Sequence, residues 1–126
     1  MIIVDSVGWI AFFQDDALAS SYEPYLMRAD VLCPTVILYE VTRYVEKNKG
    51  PRTAARVAAQ MLKKKVIPLD DSLATAAARV SIQYHLAMAD AIIYATTLVY
   101  QATLVTSDAH FQELPLVTYY PSPGRS

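Results

Sequence analysis

The sequence predicts an α/β fold, a sandwich of helices around a mostly parallel sheet. Two observations point there. Five short apolar runs have strand length: Ile2-Ile3-Val4, Val31-Leu32-Cys33, Val66-Ile67-Pro68-Leu69, Thr103-Leu104-Val105 and Leu116-Val117-Thr118-Tyr119. The segments between them carry apolar residues at helical spacing. Seven prolines, three glycines and a hydrophobic fraction of 54% in 126 residues favour one packed domain over a low-complexity chain. That domain is expected to span 1–126, with 121–126 a loose tail.

Taken in order, the first strand ends at Asp5, and Ser6 can cap a helix from Val7 to about Gln14. Asp15-Asp16 break it. A second helix is expected over about Ala17 to Ala29, with Tyr22, Tyr25, Leu26 and Met27. Pro34 stops the second strand. Thr35 can cap a helix to about Asn48, closed by Gly50-Pro51. Its apolar stripe is Ile37, Val41, Tyr44 and Val45. Glu40 lies about 60° from that stripe, so it is a boundary residue that can face a cleft. Pro51 opens an Ala-rich helix to about Lys64. The third strand carries Pro68, which suits a sheet edge. Asp70 or Asp71 caps a helix to about Tyr84 that includes Leu73, Ala76, Ala77, Val80 and Ile82. The helix from about Met88 to Gln101 is apolar on most sides and is placed against the sheet, under other helices. After the fourth strand, Ala109 to Glu113 makes a short helical turn, and the fifth strand is an edge.

Bulk properties exclude some classes. No run is long and apolar enough to span a bilayer, and Met1-Ile2-Ile3-Val4-Asp5 lacks the basic start of a signal peptide. Cys33 is alone, which fits a reducing cytoplasm. The net charge of −1 gives no global attraction to nucleic acid. Yet eight of the eleven Lys and Arg residues fall between Arg43 and Lys65, either a solvated helical face or a local basic surface.

The informative stretch is 86–111, where Asp90 and Asp108 interrupt an apolar run. A carboxylate is costly to desolvate without a partner. In a parallel sheet, ligands bind beyond the carboxyl ends of the strands, where Asp5 and Asp108 fall. The candidate set is Asp5, Glu40, Asp90 and Asp108, and each also has an ordinary reading. Asp5 can be a turn residue and Glu40 a surface glutamate. Asp90 can sit in a first helical turn, and Asp108 can cap the next one. Together, four carboxylates at one edge would repel unless cations were present. Mg²⁺ or Mn²⁺ prefers oxygen ligands and could hold a phosphodiester and activate water. Ser6, Thr106 and Ser107 add hydroxyls nearby that either orient carboxylates or cap helices.

Other chemistries fit less well. Two histidines, His85 and His110, and one cysteine make no zinc pattern. Neither GxGxxG nor GxxxxGK[ST] occurs, and no GxSxG elbow supports a serine triad. His85 reads as a helix-end residue and His110 as a loop-shaping one.

In its ordered motifs the chain resembles the PIN-domain family, especially the small VapC ribonuclease toxins. The motifs are Ile2-Ile3-Val4-Asp5-Ser6, then Glu40 in the helix after the second strand, then Ala89-Asp90-Ala91-Ile92-Ile93-Tyr94-Ala95-Thr96, then Leu104-Val105-Thr106-Ser107-Asp108-Ala109-His110-Phe111. The resemblance implies a three-layer α/β/α sandwich with a five-stranded, mostly parallel sheet. It implies metal-dependent cleavage of RNA at an acidic Mg²⁺/Mn²⁺ site formed by Asp5, Glu40, Asp90 and Asp108, supported by Thr106 and Ser6. It also implies a small antitoxin partner and a homodimer. Family members often carry His-Gly-Leu before the third acid, where this chain has Tyr84-His85-Leu86.

Two other functions compete. A receiver-like phosphoacceptor module needs adjacent N-terminal acids and a late Lys, but Asp5 stands alone and no Lys follows Lys65. An RNA-binding scaffold of the same fold, without catalysis, is the other. The segment Arg43 to Lys65, with Arg43 and Lys47 foremost, is expected to flank the acidic cleft and contact RNA phosphates. Tyr22, Tyr25, Tyr39 and Tyr44 lie on helices that cannot all face the sheet, which suggests either a homodimer interface or helices packed together in a monomer.

Overall fold

The computed structural model describes residues 1–122, so residues 123–126 of the expected tail lie outside it. Five strands form one sheet in the order β3-β2-β1-β4-β5: β1 (Ile2–Val4), β2 (Val31–Pro34), β3 (Lys65–Ile67), β4 (Thr103–Thr106) and β5 (Val117–Tyr119). Every pairing is parallel. Six helices connect them: α1 (Ser6–Gln14), α2 (Ala19–Leu26), α3 (Thr35–Lys49), α4 (Pro51–Met61), α5 (Asp71–Tyr84) and α6 (Met88–Tyr100). A short 3₁₀ turn, Ala109–Phe111, follows β4. Right-handed crossovers put α1 to α4 on one face and α5 and α6 on the other. The result is a three-layer α/β/α sandwich.

The order of strands reverses between β1 and β4, so a crevice opens beyond their carboxyl ends. Both strands are buried along their apolar residues. Ile3, Val4, Leu104 and Val105 form the middle of the core. Helix α6 is buried on nearly every side, from Ala91 to Thr97. Its two threonines satisfy their hydroxyls by bonding back one turn, Thr96 to the Ile92 carbonyl and Thr97 to that of Ile93. An apolar helix thus carries polar residues into the core at little cost.

Local chemistry moves several boundaries. Asp5, rather than Ser6, is the N-cap of α1, and its side chain accepts the Ser6 amide at 2.7 Å. Helix α2 is shorter than expected, and it tolerates Pro24. Strand β3 begins at Lys65, opposite Leu32, and ends at Ile67. Leu69 has left the sheet, and its amide donates to the Thr35 hydroxyl. Asp70 is the cap of α5, accepting the Leu73 amide at 2.8 Å.

Three expectations about residue placement are corrected. Tyr22 is fully buried, and Tyr25 is half-buried and shares a 2.7 Å hydroxyl contact with Tyr120. Tyr22 therefore marks no outer surface. Helix α1 comes close because residue 8 is glycine: a Cβ there would collide with the Tyr22 ring and the Val4 side chain. Ile82, named among the apolar residues of α5, is exposed while Leu73, Ala77 and Val80 are buried. The basic segment is also divided. Lys65 opens β3 and Lys64 donates to the Arg28 carbonyl, so both sit at the amino end of the sheet, away from the acids.

Candidate functional site

The site starts from two strand ends. β1 delivers Asp5 to the crevice, and the Asp5 amide donates to Val105 of β4 at 2.9 Å. Thr106, the last residue of β4, donates its hydroxyl to Asp5 Oδ2 at 2.7 Å. The same hydroxyl oxygen accepts the Asp108 amide at 2.9 Å. Asp108 in turn accepts the His110 amide at 2.9 Å and caps the 3₁₀ turn. One chain of hydrogen bonds therefore fixes Asp5, Thr106, Asp108 and the His110 backbone together.

Helix α6 brings the third acid. Asp90 lies in its first turn, where the helix dipole favours negative charge. One turn on, Tyr94 packs against Phe111 with ring centroids 6.2 Å apart, and its hydroxyl donates to the Pro115 carbonyl. Residues four apart share a helix face. The packing that seats Tyr94 on Phe111 thus also sets Asp90 beside Asp108 and His110. The His110 Nδ1 lies 3.3 Å from Asp90 Oδ2 and 3.2 Å from Asp108 Oδ1. Ligand atoms of Asp90, Asp108 and His110 all lie within 4.8 Å of one another.

Glu40 enters from α3. It lines, with Asp5, Ser6, Asp90, Ser107, Asp108, and His110, a cavity of about 330 Å³. The structure therefore brings all four acids to one opening. Asp90 and Asp108 form a compact group with His110, whereas Asp5 and Glu40 lie deeper or to the side. Sequence reading passed over His110 as a loop residue. Its two-residue distance from Asp108 was visible, but its approach to Asp90 depends on tertiary packing. Ser107 does not turn toward a carboxylate: its hydroxyl pairs with that of Tyr22 in the core.

Electrostatics mark the cavity as strained for bare acids. Asp5 is 4% exposed, and burial pushes its carboxyl up to about 6 despite the bonds from Thr106 and Ser6. Burial, then the Asp5 charge, pushes Glu40 up to about 7. Asp90 is raised by burial and then by Asp108, with His110 opposing. Among the described residues, no Lys or Arg forms an ion pair with any of the four acids. The Oε1 atom of Glu40 is buried with no hydrogen-bond partner. Oxygen donors in excess, one of them orphaned, and no nearby fixed cation suit a hard divalent ion.

The loop before α6 explains the absent glycine. His85 takes the left-handed conformation at φ 57°, which glycine adopts without strain, and its amide caps α5 on the Ser81 carbonyl. The Ser81 hydroxyl donates to the Leu86 carbonyl at 2.7 Å. Local bonds thus hold the turn, and the entry into α6 is kept.

Among known structures the fold is well represented. A toxin–antitoxin complex from Klebsiella pneumoniae superposes with a TM-score of 0.81 at 18% identity, covering 97% of this chain and 100% of that one. A VapC toxin from Mycobacterium tuberculosis, described as cleaving the sarcin–ricin loop, gives 0.78 at 18% identity, covering 91% and 95%. A VapBC complex from Rickettsia felis, bound to a DNA fragment from its promoter, gives 0.73 at 15% identity, covering 96% and 98%. At these identities the likeness shows the fold. A search of curated proteins gives no significant match. The family model for the PIN domain matches residues 2–116, nearly the whole chain. This chain, with its acids at the carboxyl edge of a five-stranded parallel sheet, belongs to the PIN domain family.

Proposed function

We propose that the chain is a single-domain, divalent-metal-dependent endoribonuclease, acting in the cytoplasm as the toxin of a toxin–antitoxin pair. The observation that carries this reading is the convergence of Asp5, Glu40, Asp90 and Asp108 on one cavity with no Lys or Arg ion-paired to any of them among the described residues. A structural cluster of this kind would gain nothing from burying like charges. The four acids would hold Mg²⁺ or Mn²⁺, which when bound polarises a phosphodiester and activates water.

The chain's own residues do the positioning. Thr106 and the Ser6 amide hold both oxygens of Asp5 in place. Asp108 is fixed through the Thr106 hydroxyl, and Asp90 through the seating of Tyr94. Glu40, raised to about 7 by burial and then by the Asp5 charge, would be held ionised by a bound cation. Arg43 and Lys47 are exposed on α3, three and seven residues after Glu40, and so share its side of the helix. They are suited to contact RNA phosphates beside the cavity.

An antitoxin partner is supported by relatives solved as toxin–antitoxin complexes. A groove of about 840 Å³ between α1, α3 and α4, lined by Phe13, Val45 and Val57 and rimmed by Lys49 and Arg56, offers room for a peptide segment. Among the described residues no helix is long and apolar enough to cross a membrane.

The decisive experiment is cleavage of RNA by the purified chain with Mg²⁺, with Mn²⁺ and with chelator. Cleavage that needs the metal and fails in Asp90→Asn supports the nuclease. RNA binding without cleavage under every metal condition would instead favour the non-catalytic scaffold.

A further inference from the structure

We infer that His110 is a nitrogen ligand in the acidic cavity and biases it toward a transition ion such as Mn²⁺ over Mg²⁺. The inference rests on the metal-site reading above and adds to it which ion is preferred and why.

The geometry is the first argument. The Nδ1 of His110 lies nearly equidistant from two carboxylate oxygens, at 3.3 and 3.2 Å. A ring nitrogen carries at most one proton, and a charge-assisted hydrogen bond to a carboxylate is shorter, about 2.7–2.9 Å. Two long, equal approaches therefore make a poor hydrogen bond. They match the edges between ligands around one ion: octahedral bonds of about 2.1 Å give edges of about 3 Å.

The second argument is that the imidazole has no other task. The His110 side chain is 74% exposed and takes no part in the core. Its backbone is held on both sides. The amide of His110 donates to Asp108, and the next residue, Phe111, is fully buried. A fixed backbone aims an otherwise unused ring at two carboxylates.

The third argument is donor chemistry. The acids of the cavity offer oxygen donors, and the His110 imidazole adds a nitrogen beside Asp90 and Asp108. Mg²⁺ takes oxygen donors, whereas a nitrogen donor favours first-row transition ions.

The test is metal binding, independent of cleavage. The chain has only two histidines, and His85 is absent from the residues lining the cavity, so a nitrogen signal is assignable. Pulsed EPR of the Mn²⁺-loaded chain should show ¹⁴N coupling that disappears in His110→Ala. Calorimetry should show Mn²⁺ affinity falling by about 10–100-fold in that variant, with a smaller fall for Mg²⁺. His110→Asp should lose the nitrogen signal while keeping Mg²⁺ binding. The exposed position makes loss of folding no obstacle, and circular dichroism checks it. If Mn²⁺ binds and Asp90→Asn weakens it, but no nitrogen coupling appears, the site stands and the role of His110 is overturned. If the parent binds no Mn²⁺ at all, the metal reading and this inference fall together.

Discussion

The hydroxyl of Thr106 donates to Asp5 across the seam between β1 and β4, at 2.7 Å, and accepts the Asp108 amide at 2.9 Å. One fully buried side chain thus ties together the two acids at the strand ends. Thr106→Val keeps the volume but strands a buried carboxylate oxygen and a backbone amide. The expected loss is about 1–3 kcal/mol of folding stability. Thr106→Ser should recover most of it. Denaturant melts of the three chains in chelator check this, and a Thr106→Val chain as stable as the parent would count against the bond.

The raised acids set a pH dependence for the metal-free protein. Asp5 at about 6 and Glu40 at about 7 hold protons in the folded state that the unfolded chain has already lost. The folded state binds more protons, so unfolding free energy falls as pH rises. The contribution is complete below about pH 4 and is lost between there and about pH 7. Asp30 acts oppositely, since Arg28 holds it below the usual range, but its effect is confined to more acid solution. Glu40→Gln should flatten the decline. Melting temperatures from pH 4 to 8 in chelator, rising or flat for the parent, would contradict it.

The fold was legible because strands and helices here carry different periods. Ile2-Ile3-Val4 and Thr103-Leu104-Val105 are buried strands as read, and α6 is apolar on most sides because its middle, Ala91 to Thr97, is buried. What failed was orientation. Tyr22 was counted among four tyrosines whose helices cannot all face the sheet, but one residue with no Cβ, Gly8, lets its ring into the core. The acids could be found one by one because an acid in an apolar stretch is conspicuous. The company of His110 could not, because Asp90 reaches it only through the contact between Tyr94 and Phe111. A basic run in sequence likewise need not be one surface, as Lys64 and Lys65 show by lying at the other end of the sheet.

The RNA surface is expected to include Arg43 and Lys47, both exposed on α3. In a catalytically dead background, replacing both with Ala should weaken binding of single-stranded RNA. Two lost phosphate contacts should also reduce the slope of log K against log salt by about 1.4. Replacing Lys64 and Lys65, at the amino end of the sheet, should change little. Filter binding across a salt series distinguishes the pairs, and equal effects would remove the assignment.

A homodimer is expected to use the apolar patch beside the cavity rather than the tyrosines of α2. Tyr39, Leu69 and Met88 are exposed together around a hollow whose floor includes Ile92. Met88 is 78% exposed and shares one apolar patch with Tyr39 and Leu69. Met88→Asp should give a monomer with unchanged fold. Sedimentation at micromolar concentration reads this directly, and a parent chain that is already monomeric would end the proposal.

Asp90 separates an enzyme from a scaffold most sharply. It faces Asp108 and His110, and both burial and Asp108 raise its pKa. A group retained only for structure would be better replaced by its neutral isostere. Asp90→Asn removes a negative charge from the cluster but keeps its shape and its place in the first turn of α6. Repulsion among the remaining acids should fall, so the metal-free variant is expected to be as stable as the parent, or slightly more so. Metal binds the folded form, so Mg²⁺ or Mn²⁺ should raise the melting temperature of the parent more than that of the variant. RNA cleavage should be lost. The combination matters, because a misfolded variant would also lose cleavage but would not keep its metal-free melting temperature. Parental cleavage together with the full metal-induced rise would make Asp90 structural and remove it from the site.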